Sequence, residues 1–114
     1  ENVDLSAPGY RIFSTYHDLS SGGYAYMTGT SMAAPFVTGL AALVLAYSPT
    51  ELTADAVVTL LQENTDDTGD AGWDSLYGNG RINVCKTTAT TLGVDPGNCS
   101  NRALASIFLP VVTR

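Results

Sequence analysis

Basic residues are scarce in this chain. Five Lys and Arg stand against eleven Asp and Glu, a formal net charge of -6 over 114 residues, and the five are scattered. Neutralising a phosphate backbone needs clustered Lys or Arg, so nucleic acid is not an expected partner. Histidine is scarcer still. His17 is the only one, and it lies far from the two cysteines, Cys85 and Cys99, so a zinc site is not expected. A long hydrophobic run is also missing: the longest, Met32 to Tyr47, is shorter than the roughly 20 residues that span a bilayer. Pro35, Thr38 and Gly39 interrupt it. It reads as a buried helix, and no membrane span is expected. No internal repeat is visible. An initiator Met is absent too, and the residues after Glu1 have the character of strand and turn rather than of a signal peptide. The chain is therefore read as part of a longer one.

What is present suits one domain. The hydrophobic fraction of 45% is ordinary for a globular protein and suffices for a single core. Residues 2–6 and Arg11 to Tyr16 carry alternating or β-branched apolar residues around Pro8-Gly9, which predicts two short extended segments joined by a tight turn. Ser20 to Gly23 reads as a loop, and Tyr24 to Met27 as a short aromatic strand running into Gly29-Thr30-Ser31.

The segment from Met32 to Ser48 is apolar almost all round, and a helix without a polar face must be buried on every side within a larger domain. With the helix starting at Met32, Pro35 falls in its first turn, where a missing N–H costs nothing, and Pro49 marks its end. A second helix is predicted from Thr53 as N-cap, with Asp55 in its first turn, Leu52 and Val57 spaced as a hydrophobic staple, and Val57, Leu60 and Leu61 on one apolar face. Asn64 to Gly72 reads as a polar, Asp-rich loop. Asn83 is placed to cap a short helix from Val84 to about Leu92, against the weak helix propensity of its four threonines. Ile107 to Val112 is a short apolar run after a polar connector, read as a docked strand or extended tail.

The stretch that carries chemistry is Gly29-Thr30-Ser31-Met32-Ala33-Ala34-Pro35. It sets a serine at the start of an apolar helix, just after a glycine-bearing turn, where free backbone N–H groups and the positive dipole end face outward. An acyl-transfer nucleophile gains from that place, because the oxyanion formed on attack can be held by the serine's own N–H. Small Ala33 and Ala34 let the helix end pack closely. The alternative is a plain serine near the cap of a buried helix.

This heptapeptide, with Val37 and Gly39 after it, closely resembles the sequence around the nucleophile of the subtilisin-like serine peptidases. It differs from the hydrolase elbow, where a glycine stands at the place of Ala33. Val3-Asp4-Leu5-Ser6-Ala7-Pro8-Gly9 resembles the family's strand and turn upstream of the nucleophile, and Gly78-Asn79-Gly80-Arg81-Ile82-Asn83 resembles its closing segment. The resemblance implies an α/β fold, a three-layer domain with a mainly parallel sheet. Residues 1–92 would be the C-terminal part of that catalytic domain, and 93–114 an extension or tail. It further implies a triad in the chain order Asp, His, Ser, of which Ser31 alone lies here. The implied partners are polypeptide substrates and the remaining N-terminal part of the domain. No cofactor or metal is implied within this stretch, although the intact enzyme has room for structural calcium. Secretion follows from the same resemblance, and with it a disulfide between Cys85 and Cys99, with two free thiols as the alternative.

Other candidates fare worse. His17 precedes Ser31, but its neighbours Asp18, Leu19 and Ser20 do not resemble the family's glycine-rich His motif, so it reads as an exposed loop histidine. Lys86, the only lysine, lacks a Ser-Lys motif. Phe36 stands where many members have His, which should change packing and not catalysis. Asp66, Asp67, Asp70 and Asp74 lack EF-hand spacing and read as a solvated acidic loop. Trp73 and Tyr77 read as packing residues near the domain edge. Two rival readings remain: a sedolisin-type acid peptidase, which Met32 and Ala33 fit less well, and a degenerate member kept as a binding module.

Overall fold

A computed structural model of the chain describes residues 3–18, 20 and 22–100. Its elements run β1 (Ile12–Thr15), β2 (Tyr24–Met27), α1 (Thr30–Tyr47), α2 (Ala54–Glu63), β3 (Thr65–Asp66), β4 (Arg81–Ile82), α3 (Val84–Thr91) and a 3₁₀ turn at Pro96–Ser100. The expected strand or tail over Ile107 to Val112 lies outside the described residues.

The second and third helices form where the sequence predicts them. Thr53 caps α2, its hydroxyl accepting from the Ala56 N–H at 3.2 Å, with Asp55 in the positive first turn. Asn83 caps α3 through the Lys86 N–H at 3.0 Å. The threonines that weaken the propensity of α3 are accommodated by bonds to the previous turn: Thr87, Thr88 and Thr91 donate to the carbonyls of Asn83, Val84 and Thr87 at 2.9, 2.7 and 2.7 Å. Thr87 is fully buried, so that bond removes the penalty of hiding its hydroxyl. Leu40 and Val44 of α1 meet Val57 and Leu61 of α2 in the core, with Leu52, Leu60, Ile82 and Val84 packed around them.

Three features of the structure go beyond the sequence expectations. First, the described residues cover α1 on one side only: of its 18 residues Leu40 and Val44 are buried, while Leu45 is 56% exposed. Its inner stripe faces α2 and α3 and its other flank is open. With mean hydropathy 1.6 over 18 residues, α1 is by length and composition alone long and apolar enough to cross a membrane. Second, the two extended segments around Pro8-Gly9 find separate partners. Ser6 makes a parallel bridge with Arg81, and β1 pairs antiparallel with β2, Ile12 opposite Met27 and Thr15 opposite Tyr24. Third, the predicted loop after Asn64 begins with β3, which pairs antiparallel with β4. Beyond the Ser6 bridge, a parallel sheet is not represented among the described residues.

The segment before β1 is gripped by the loop before β4. Trp73 donates its indole N–H to the Val3 carbonyl at 2.9 Å, and Asn79 gives both its backbone and its side-chain N–H to the Asp4 carbonyl, at 2.9 and 3.0 Å. Gly78, at φ 65°, lies so close to Asp4 that a Cβ there would sit 2.5 Å from the Asp4 carbonyl group.

Candidate active site

Ser31 is the second residue of α1. The helix is opened by Gly29 at φ 157° and ψ 170°, backbone that in practice only glycine adopts. Both the Met32 and Ala33 N–H groups turn back to the Gly29 carbonyl, at 3.0 and 3.3 Å. The N–H groups of Thr30 and Ser31 have no carbonyl one turn earlier within the helix. No side chain caps this end and no acidic residue occupies its first turn. The positive end of the dipole is therefore uncompensated where the serine hydroxyl projects, and Ser31 is exposed.

Pro35 corrects a finer expectation. Because α1 starts at Thr30 rather than Met32, Pro35 lies inside the helix, and it cannot give the Ser31 carbonyl the N–H that another residue would.

Ser31 stands on the rim of an open cleft of about 430 Å³ between the β1–β2 hairpin and the first turns of α1, lined by Ile12, Ser14, Met27, Met32, Pro35 and Phe36 among others. Phe36 thus contributes an apolar wall. Phe13, which also lines the cleft, is stacked on Tyr24 and tilted against Tyr26 at centroid distances of 5.5 and 4.9 Å, with the Arg11 guanidinium over Tyr26 at 5.4 Å.

Among the described residues no side chain hydrogen-bonds the Ser31 hydroxyl. His17 is exposed, its ring against Tyr16 at 4.4 Å, as the loop reading predicts. Lys86 is engaged elsewhere, giving its ammonium group to Asp66 at 2.7 Å and to the Thr65 carbonyl at 3.2 Å.

The acidic loop is more organised than the solvated reading allows. Asp66 accepts from Lys86, through both its carboxylate oxygens from the Asn83 amide nitrogen at 3.0 and 3.1 Å, and from Arg81 at 3.4 Å. Partial burial pushes its carboxyl pKa up, but the bonds from Lys86 and Asn83 and the positive charge of Lys86 outweigh that and hold it below the usual range. Asp67 accepts from the Gly72 N–H at 3.0 Å, and Asp74 from the Leu76 and Tyr77 N–H groups at 2.7 and 2.8 Å. Among the described residues no group of three His, Cys, Asp or Glu is placed to hold a metal ion. Trp73 and Tyr77 lie at the edge, 52% and 39% exposed, rather than packed. Cys85 and Cys99 are joined in a disulfide with Cα atoms 5.5 Å apart.

Sequence reasoning missed the grip of Trp73 and Asn79 on residues 3–9. Its trace in the sequence is Gly78-Asn79-Gly80, in which two glycines flank a residue that can bond twice.

Comparison with known proteins agrees with this geometry. The chain is 42% identical over 82 residues to subtilisin DY of Bacillus licheniformis, covering 72% of this chain and 27% of that protein. It is 36% identical over 99 residues to an extracellular serine protease of Serratia marcescens, covering 70% of the chain and 9% of that protein. Among solved structures, a psychrophilic subtilisin-like protease from the Antarctic psychrotroph Pseudoalteromonas sp. AS-11 superposes with TM-score 0.55 at 43% identity, over 59% of this chain and 15% of that one. A protease of Pseudoalteromonas arctica gives TM-score 0.64 at 31% identity, over 78% and 29%. The chain thus spans about a tenth to a quarter of the length of these curated relatives. The family model for subtilases matches residues 1–80, taking in the serine turn, α1, α2 and the Gly78-Asn79-Gly80 segment, and the chain belongs to the subtilase family.

Proposed function

We propose that this chain is the C-terminal part of the catalytic domain of a secreted serine endopeptidase, with Ser31 as nucleophile. The observation that carries the reading is the place of Ser31: exposed, on the rim of a cleft, at a helix N-terminus left without a cap or an acidic side chain. In the reaction an upstream His takes the Ser31 proton while Oγ attacks the peptide carbonyl, and an upstream Asp orients that His. The oxyanion is held in part by the Ser31 N–H. Collapse breaks the C–N bond, the His proton goes to the leaving amine, and water then hydrolyses the acyl-enzyme. The substrates are polypeptides. No cofactor enters these steps.

The open flank of α1 supports the same reading, because a mainly parallel sheet supplied by the upstream part of the domain would cover it, as a core helix requires. α1 is accordingly read as a core helix and not as a membrane span. Secretion is supported by the relatives named extracellular and by the Cys85–Cys99 disulfide, which suits an oxidising compartment.

The test is active-site labelling of the full-length protein with a fluorophosphonate. Label should be found on Ser31, Ser31→Ala should abolish both label and proteolysis, and His17→Ala should leave activity within a few-fold of wild type. An unlabelled Ser31 in folded full-length protein would favour the degenerate, non-catalytic member. Loss of activity in His17→Ala as complete as in Ser31→Ala would move the base into this chain and refute the assigned roles.

A further inference from the structure

We propose that residues 3–9 act as a strap that fixes the position of Ser31, and that Gly9 and Asn79 are positioning residues for the reaction. This rests on the reading of Ser31 as nucleophile. At one end the strap meets the serine turn directly: the Gly29 N–H donates to the Gly9 carbonyl at 2.9 Å. The fit there is close enough that a Cβ on Gly9 would lie 2.7 Å from the Gly29 carbonyl oxygen and 3.3 Å from the Ala33 Cβ. Gly29 in turn receives the first two hydrogen bonds of α1, so its carbonyl sets where the Ser31 turn begins.

At the other end the strap is held by a loop distant in sequence. Asn79 bonds the Asp4 carbonyl twice and Trp73 bonds the Val3 carbonyl. The Ser6 N–H donates to the Gly80 carbonyl and the Ile82 N–H to the Ser6 carbonyl, both at 3.0 Å. Between the two ends stands Pro8, whose ring fixes φ and limits slack. A displacement of the grip is therefore passed to Gly29 along a short, stiff backbone, and from there to the nucleophile. Attack on a carbonyl is sensitive to such shifts, since a misplacement of about 1 Å can lower the rate about 100-fold.

Gly9→Ala and Asn79→Asp in the full-length enzyme test this. The first drives a methyl group into the Gly29 carbonyl. The second is isosteric but sets a carboxylate oxygen, in place of an N–H donor, against the Asp4 carbonyl. Titration with a fluorophosphonate counts the competent sites, so kcat per titrated site is separated from loss of folded protein. The expected result is a fall in kcat per titrated site of about 10-fold or more with KM within about two-fold, because the strap touches the nucleophile turn and not the substrate. A merely structural strap would lower Tm and the titrated fraction while leaving kcat per site unchanged, and that result overturns the proposal. If Gly9→Ala fails to fold, Asn79→Asp decides alone. Failure of the wild type to label at Ser31 would instead overturn the nucleophile reading, and the strap proposal with it.

Discussion

The start of α1 and the corner formed by β3, β4 and α3 treat their polar groups in opposite ways. At the corner, Asn83 caps α3, the threonine hydroxyls bond backward along the helix, and Asp66 collects Lys86, Asn83 and Arg81. At the start of α1, Gly29 offers no side chain, no acidic residue balances the dipole, and the Ser31 carbonyl loses its usual partner to Pro35. A side-chain cap is worth about 1 kcal/mol, so the bare end forgoes stability that α2 and α3 both obtain. The N–H groups left open at this end are what a developing oxyanion can use, whereas the corner's groups are already satisfied and can only hold shape. On the proposed reading of Ser31, the difference separates a region that reacts from one that braces it.

Leu40 gives the largest expected effect, because it lies at the seam between the two regions. It is 2% exposed and packs in the cluster with Val44, Val57 and Leu61. Leu40→Ala in the full-length protein should cost about 2–5 kcal/mol in urea unfolding. A loss below about 1 kcal/mol would mean that α1 is not braced by α2, and the comparison would fail at its base.

The disulfide sharpens the comparison from the bracing side. It ties the first turn of α3 to the 3₁₀ turn, closing a separation of 14 residues. A loop of that size contributes about 3 kcal/mol in the chain-entropy account. Replacing Cys85 and Cys99 together by Ser should lower stability by up to that amount while leaving fluorophosphonate labelling of Ser31 unchanged in the folded protein. Loss of labelling at full retention of stability would show that the corner takes part in the reaction directly.

Local signals were legible in the sequence and distant ones were not. Thr53 and Asn83 announced their helices because a cap acts within three residues, and the apolar face of α2 was visible in the spacing of Val57, Leu60 and Leu61. The glycine turn leading into a helix at Ser31 was legible in its heptapeptide. Its start of helix was misplaced by two residues, since nothing in Thr30 marks it as helical, and Pro35 was misread in consequence. The pairing of Ser6 with Arg81 and the grip of Asn79 on Asp4 join residues far apart, and no local pattern encodes them. Asp66 was read as solvated for the same reason: its partners Arg81, Asn83 and Lys86 arrive only when β4 and α3 fold back beside β3.

Asp66 carries the smallest and most specific prediction. Its carboxyl titrates below the ordinary aspartate value in the folded chain because Lys86 and Asn83, with Arg81, favour the charged form by more than partial burial disfavours it. A depressed pKa means that the unfolded chain binds the proton more readily than the folded one. The stabilisation is therefore complete above the unfolded value of about 3.9 and is lost as pH falls from there through the lower folded value. Asp66 and Lys86 are about one-third exposed, at 31% and 34%, so solvent screening limits the effect to about 1 kcal/mol. Asp66→Asn should accordingly unfold more easily than the wild type at neutral pH, and the gap between the two should close as the solution is made acid below about pH 3.9. Urea melts of both proteins across that range measure the gap directly. A gap that stayed constant with pH would assign the cost of the substitution to lost packing or hydrogen-bond geometry rather than to the charge, and Asp66 would no longer count as the electrostatic centre of the corner.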